Sequence, residues 1–127
     1  MKIGHDENFL CIERVDKDDP YSGYAISARC EYDDSIFSGS NGAVHFDQTP
    51  EAKADFREFE ALNLKETRLD LTENCFLQLT RLSRGDIQID FQICRYRLDA
   101  KFVGRIELEG EYCSRFLKDL GQMAFGD

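Results

Sequence analysis

The chain has 127 residues, of which 25 are acidic, 16 are basic and 42% are hydrophobic, and its formal net charge is −9. This composition is that of a globular protein rather than a disordered one, and the length predicts a single domain spanning residues 1–127. Residues 1–64 hold 14 acidic and 6 basic groups, so the negative charge lies mainly in this half. Such a surface argues against nucleic acid and membrane partners and favours a basic protein, although acidity also serves solubility alone.

The five cysteines stand far apart in the sequence, and no two form a CxxC pair. They are Cys11, Cys30, Cys75, Cys94 and Cys113. Their apolar neighbours predict small buried side chains in a reducing compartment. No apolar run approaches the ~18 residues of a membrane span, and the N-terminus lacks the apolar segment of a signal peptide. We therefore expect a cytoplasmic protein.

Two strands separated by an acidic turn are predicted at the start of the chain. Residues 8–15 form the first strand, and residues 16–20 (Asp-Lys-Asp-Asp-Pro) end it, because Asp and Pro favour turns. The second strand spans residues 24–32 and alternates between two faces. One face carries Tyr24, Ile26, Ala28, Cys30 and Tyr32.

A weaker third strand and a helix follow. The strand is predicted over residues 36–47, after a second acidic turn, and its two glycines suggest a bulge or a hairpin. The period of the apolar residues then changes to that of a helix. Thr49 suits the N-cap and Pro50 the first helical position, while Phe56 and Phe59 would anchor the helix to a sheet.

Four strands and a last helix are predicted in the second half. The strands cover residues 67–71, 75–82, 86–97 and 102–108. The third of these is the clearest, because its apolar residues alternate strictly with polar ones from Ile87 to Ile93. The links are short, which indicates an antiparallel meander, since a parallel crossover needs a dozen or more residues. The helix is predicted over residues 112–124, with Gly121 as an interior imperfection or the C-cap.

These elements predict an α+β fold in the order β-β-β-α-β-β-β-β-α. We expect one antiparallel, meander-type sheet of six or seven strands with two helices packed on it. Strands with one apolar and one polar face suit a sheet that is covered on one side and open on the other.

Three sequence blocks carry a family resemblance. The first block is a helix with an F-x(5)-L pattern. The second is a pair of strands, in which an L-x-L pattern is followed by a glycine and then by an alternating run. The third is the closing strand and helix. In this chain they are residues 50–64 (with Phe56 and Leu62), 75–81 with 85–91, and Arg105-Ile106-Glu107-Leu108 with Phe116-Leu117-Lys118-Asp119-Leu120. Together they resemble the WapI-type immunity proteins of bacterial polymorphic toxin systems, and the resemblance covers about three-quarters of the chain.

The resemblance implies a function but no site. Such immunity proteins are cytosolic, and each binds a cognate toxin domain to neutralise it. The expected protein is therefore non-catalytic, and its expected partner is a toxin domain. The shared positions are core positions, so the resemblance supplies no binding residues.

The sequence contains no convincing motif for catalysis or for a cofactor. A calcium loop beginning at Asp16 would need a ligand at its fifth position and a glycine at its sixth, where Pro20 and Tyr21 stand. No sequence feature pairs His45 with a nucleophile. We therefore predict no enzyme activity, no metal and no cofactor. There are two alternatives. One is a ligand-binding or enzymatic domain that uses a pocket between sheet and helices, and the other is a structural subunit that self-associates.

The acidic turns are the best candidates for a partner-binding surface. They lie at opposite ends of the second predicted strand, so two separate acidic edges, or one patch completed by Glu31 and the helix acids, are both open. Carboxylates there would steer a basic partner, and tyrosines beside them would anchor it. The predicted partner-binding residues are Asp16, Asp18, Asp19, Tyr21, Tyr24, Asp33 and Asp34.

Overall fold

The structure is a computed structural model that describes residues 1–5, 7–95 and 100–126. Within these residues the chain forms eight strands, two α-helices and one short 3-10 helix (Thr72–Asn74). They are β1 (Lys2–Gly4), β2 (Phe9–Arg14), β3 (Tyr24–Tyr32), β4 (Ser35–Val44), α1 (Pro50–Glu60), β5 (Glu66–Asp70), β6 (Phe76–Arg81), β7 (Ile87–Cys94), β8 (Lys101–Leu108) and α2 (Gly110–Phe125). The α+β class and the predicted order of elements are confirmed, with β1 as an addition at the N-terminus.

The strands form two antiparallel sheets instead of one. The N-terminal sheet has the order β1-β2-β3-β4 and the C-terminal sheet the order β5-β6-β7-β8. The prediction of one sheet of six or seven strands was therefore wrong. Helix α1 separates β4 from β5 along the chain, and the two sheets meet through an isolated antiparallel bridge between Phe46 and Leu71. Short links allowed each meander to be predicted, but they do not determine how the two meanders join.

The first half of strand β3 packs in the core, and its second half extends beyond the core. Tyr24, Ile26 and Ala28 are buried, whereas Cys30 and Tyr32, on the same face, are exposed. The expected bulge lies in β4: Tyr24 pairs with Val44 but Ile26 pairs with Asn41, so β4 has an extra residue between these pairs. The β3–β4 hairpin thus extends beyond the part of the sheet that covers the core.

Strand β7 occupies the interior of the C-terminal sheet. Ile87, Ile89, Phe91 and Ile93 are buried, as the alternation predicted. The strand ends at Cys94, although it was predicted to continue to about residue 97. Residue 95 lies outside the strand, and residues 96 and 97 lie outside the described residues. On β8, Gly104 pairs with Phe91, whose ring occupies the space that a Cβ at position 104 would need. That ring also stacks on Phe102, with centroids 5.8 Å apart.

The two helices begin and end as local chemistry requires. The hydroxyl oxygen of Thr49 accepts a hydrogen bond from the Ala52 amide at 3.3 Å, which caps α1 as predicted. Helix α2 continues past Gly121 to Phe125 and is capped by Gly126, whose φ of 74° is readily adopted by glycine. Gly121 instead lies against the Phe56 ring, where a Cβ would be 2.8 Å from Cε1, so it allows the two helices to approach closely.

Side chains from both sheets and both helices share one hydrophobic core. Phe59 of α1 is completely buried and stacks under the Arg81 guanidinium, whose carbon is 4.6 Å from the ring centroid. Arg81 Nη2 also donates to the Phe59 carbonyl at 3.0 Å. In the described part of the chain, no helix combines the length and apolar character that crossing a membrane requires.

Candidate partner-binding surface

The largest exposed apolar side chains that lie together are at the end of the β3–β4 hairpin. Tyr32 is 73% exposed, and Ile36 and Phe37 are each 58% exposed. Asp33 and Asp34 stand between them in sequence and are also exposed. We call residues 32–37 the hairpin tip. Exposed aromatic and branched aliphatic groups beside charges are the composition of a protein-binding surface.

The tip is built by a tight two-residue connection. Tyr32 pairs with Ser35 across the hairpin, so Asp33 and Asp34 alone form the turn. Asp33 has a φ of 54°, a left-handed conformation that aspartate tolerates better than most residues. Cys30 pairs with Phe37, so the alternation of side chains places Tyr32 and Phe37 on one face and Ile36 on the other. The tip therefore presents apolar groups on both of its faces.

A cluster of charges lies at the base of the tip. Arg29 forms ion pairs with Glu7 at 2.8 Å and with Glu31 at 3.5 Å. A hydrogen bond with the Glu7 carboxylate and the negative charge of that group raise the pKa of Glu31, and Arg29 opposes this effect. The tip and its base thus carry more acidic than basic groups, as the N-terminal half does as a whole.

Replacing Glu7 by glutamine is expected to return the pKa of Glu31 toward its ordinary value. In the folded wild type the Glu31 carboxyl holds its proton to higher pH than in the unfolded chain, so stability falls as pH rises through the window above the ordinary glutamate pKa. The substitution should lower the pKa measured by NMR titration of the Glu31 carboxyl carbon and reduce that fall. An unchanged titration in E7Q would show that Glu7 does not cause the shift.

A groove of about 480 Å³ opens beside the hairpin tip, between β3 and β4 on one side and β8 on the other. Its lining includes Phe37, Phe91, Phe102, Arg29, Lys101 and Arg105. None of the described residues that line it carries a carboxylate. Its volume falls in the range of ~300–1,000 Å³ that ligand sites occupy. The groove can therefore accept an apolar side chain or a small ligand with an apolar body.

The other acidic turn, at the opposite end of β3, is exposed and locally ordered. Oδ1 of Asp16 accepts from the Asp18 amide at 3.0 Å, and Oδ1 of Asp19 accepts from the Tyr21 amide at 2.9 Å. Tyr21 is 88% exposed. These contacts shape the loop and leave its charges open to solvent. The structure thus separates Asp16, Asp18, Asp19 and Tyr21 from Asp33 and Asp34 by the length of β3.

Tyr24 is a core residue, which corrects its expected place on the surface. Its ring is buried and packs edge-on against Phe46, with centroids 5.3 Å apart. Its hydroxyl donates to the Met123 carbonyl at 2.9 Å and accepts from Arg14 Nη2 at 2.6 Å. This side chain joins β3 to α2 and is not accessible to a partner. The alternation of β3 placed Tyr24 on the same face as Ile26 and Ala28, but the neighbouring acidic turn suggested a surface role.

No family model, no curated protein and no solved structure matches this chain. The candidate site therefore stands on its geometry alone.

The cysteine thiols and the possible metal ligands give no sign of a reactive site among the described residues. All five cysteines are free thiols, and burial raises the pKa of Cys75 and Cys113. Such thiols are poor nucleophiles at neutral pH. Among residues 1–5, 7–95 and 100–126, no group of three or more His, Cys, Asp or Glu side chains is arranged to hold a metal ion.

Sequence reasoning missed Ile36 and Phe37, although a signal for them was present. Adjacent residues of a strand point to opposite faces, so a strand with one buried face must expose one member of an adjacent apolar pair. Ile36 and Phe37 are such a pair, directly after the Asp33-Asp34 turn. Both are exposed because the hairpin extends beyond the core.

Proposed function

We propose that this protein is a non-catalytic immunity protein, which binds a toxin domain of a bacterial polymorphic toxin system in the cytoplasm and neutralises it. The observation that carries the proposal is the hairpin tip, where Tyr32, Ile36 and Phe37 are exposed around two aspartates. The resemblance of three sequence blocks to WapI-type immunity proteins supplies the class of partner.

The tip has the features of a binding hot spot. Aromatic side chains dominate the energy of protein interfaces when a partner desolvates them, and Tyr32 and Phe37 lie on one face of a short, tightly turned hairpin. Ordering such a hairpin on binding sacrifices little conformational freedom, because its strands are already paired. The tip is therefore suited to enter a concave surface of the partner.

The acidic residues around the hairpin tip indicate the charge of the partner. Asp33, Asp34 and Glu31 surround the apolar groups, within a half of the chain whose net charge is −8. Opposite charge on a partner raises the rate of encounter more than the final affinity. A basic toxin domain, such as one that acts on nucleic acid, fits this surface.

Co-expression with the toxin domain encoded beside this protein tests the proposal. We expect the toxin alone to stop growth of the host, and the pair to restore growth and to co-elute as a complex from a sizing column. A catalytically dead toxin should form the same complex, since neutralisation by binding does not need toxin activity. Absence of both rescue and complex would refute the proposal.

A domain that binds a small ligand is the second candidate, and the aromatic groove beside β8 favours it. Its three cations and four aromatic rings, Phe9 among them, suit an amphipathic carboxylate. Titration with decanoate would then give saturable NMR shifts at Phe37 and Phe102, together with no toxin complex.

A further inference from the structure

Strand β8 presents an open edge. It is the last strand of its sheet, and no other strand of the described residues pairs with its outer side. Alternate residues of an edge strand direct unpaired N–H and C=O groups outward, and these groups can pair with another strand. Two grooves, of about 480 and 500 Å³, separate β8 from residues of the N-terminal sheet, and Ile106 lines both of them. Because β8 has a strand partner on one side only among the described residues, its other edge is open to pairing with an incoming strand.

The outward face of β8 carries an ordered set of side chains. Lys101, Val103, Arg105 and Glu107 are exposed, and Val103 is 62% exposed. Arg105 Nε lies 2.6 Å from Asp90 Oδ1, so its charge is paired within the sheet. Lys101 and Glu107 form no ion pair with a described residue. They lie on the same face, on either side of Gly104 and equally far from it along the strand.

Two copies can pair through β8 in only a few ways. A two-fold axis perpendicular to the sheet makes the strands antiparallel and keeps the exposed faces on the same side, so the axis must pass beside one residue. An axis at Val103 places Lys101 opposite Arg105, and an axis at Arg105 places two arginines opposite each other. An axis at Gly104 places Lys101 opposite Glu107 twice. An axis at Ile106 places Arg105 opposite Glu107, but Arg105 is already paired with Asp90, and only residues 104–108 of the two strands then face each other, against residues 101–107 for an axis at Gly104. Opposite charges on facing residues stabilise a strand pair and like charges destabilise it, so charge and strand overlap together select the axis at Gly104.

We propose that two copies of this chain associate through β8 in antiparallel register about Gly104. The two C-terminal sheets then form one continuous eight-stranded sheet across the dimer. Each end of the new strand pair is closed by Lys101 of one copy and Glu107 of the other, and Val103 lies diagonally across from its counterpart. The proposal uses no residue of the hairpin tip and does not depend on the proposed immunity function.

Charge reversal at these two positions tests the register. The wild type is expected to sediment as a dimer. K101E and E107K should each raise the dissociation constant of the dimer about tenfold or more, because two attractive contacts become repulsive. Both residues are exposed, so circular dichroism should show an unchanged fold. K118E, a charge reversal at an exposed position of α2, is the matched control and should leave the dimer intact.

Mixing the two variants gives the sharpest result. In an equimolar mixture of K101E and E107K, each mixed pair has opposite charges facing at both ends of β8, so a dimer should form again. The double variant K101E/E107K should also be dimeric, because its charges are exchanged and remain complementary. A monomeric wild type at all accessible concentrations, or a mixture as weakly associated as its components, would overturn the proposal.

Discussion

Replacing Ile36 and Phe37 by serine is expected to weaken binding to the cognate toxin at least about 100-fold and to abolish the rescue of growth. Hot-spot side chains contribute about 2 kcal/mol or more each, and every 1.4 kcal/mol is a factor of ten in affinity. Both side chains are exposed, so their loss creates no cavity in the core. Isothermal titration calorimetry with a catalytically dead toxin measures the change directly.

The chain offers a matched control at the other end of β3. Tyr21 is the most exposed of the large apolar side chains and lies beside an acidic turn, as the hairpin tip does. Y21S should leave the affinity unchanged if the tip alone binds the toxin. If Y21S weakens binding and the change at Ile36 and Phe37 does not, the binding surface lies at the Asp16–Tyr21 turn. Neutralising Asp33 and Asp34 should mainly slow association, and only at low salt.

Replacing Phe59 by alanine is expected to reduce the free energy of unfolding by about 3–5 kcal/mol. The ring is completely buried between α1 and the C-terminal sheet, and the Arg81 guanidinium rests on it. The substitution removes the apolar burial, leaves a cavity and deprives Arg81 of its aromatic partner. Domains of this kind have a total stability of roughly 5–15 kcal/mol, so this loss removes a substantial part of it. Denaturant titration followed by circular dichroism is the measurement.

Two comparisons show whether packing is the cause. F59L keeps most of the buried volume and should lose less than half as much stability as F59A. E58A changes an exposed neighbour on the same helix and should have little effect. A loss below about 1 kcal/mol in F59A would mean that the site collapses around the missing ring, and that α1 is anchored mainly through Phe56.

The elements that could be predicted are those encoded by nearby residues. The alternation from Ile87 to Ile93 defines β7, and Thr49 with Pro50 defines the start of α1. In each case the residues that decide the structure are within a few positions of one another. The period of the side chains and the capping chemistry are then sufficient.

The arrangement of the sheets depends on contacts that sequence patterns do not contain. Whether the two meanders join into one sheet depends on how the chain pairs after α1. The pairing found there is the bridge between Phe46 and Leu71, which are 25 positions apart. The role of Gly121 is similar, because only the position of Phe56 explains why this glycine lies inside a helix. Tertiary packing decides both, and neither has a local signature.

The candidate site was predicted in part. Asp33 and Asp34 were recognised because two adjacent aspartates between strands indicate an exposed turn. The apolar partners of these aspartates were missed, because the point at which β3 leaves the core, after Ala28, depends on tertiary packing and has no signal in the local sequence. Tyr24 was misplaced for the converse reason, since α2 covers it from 99 positions away in sequence.

The isolated bridge between Phe46 and Leu71 has a consequence for how the chain folds. Each sheet is a series of hairpins between consecutive strands, so each can form from contacts that are near in sequence and therefore fast. We therefore expect the docking of the two meanders to be the slower step, when α2 closes over Tyr24 and the bridge forms. Until that step, Ile26 and Ile89 are exposed on two separate apolar sheets, and the partly folded chain is most prone to aggregate.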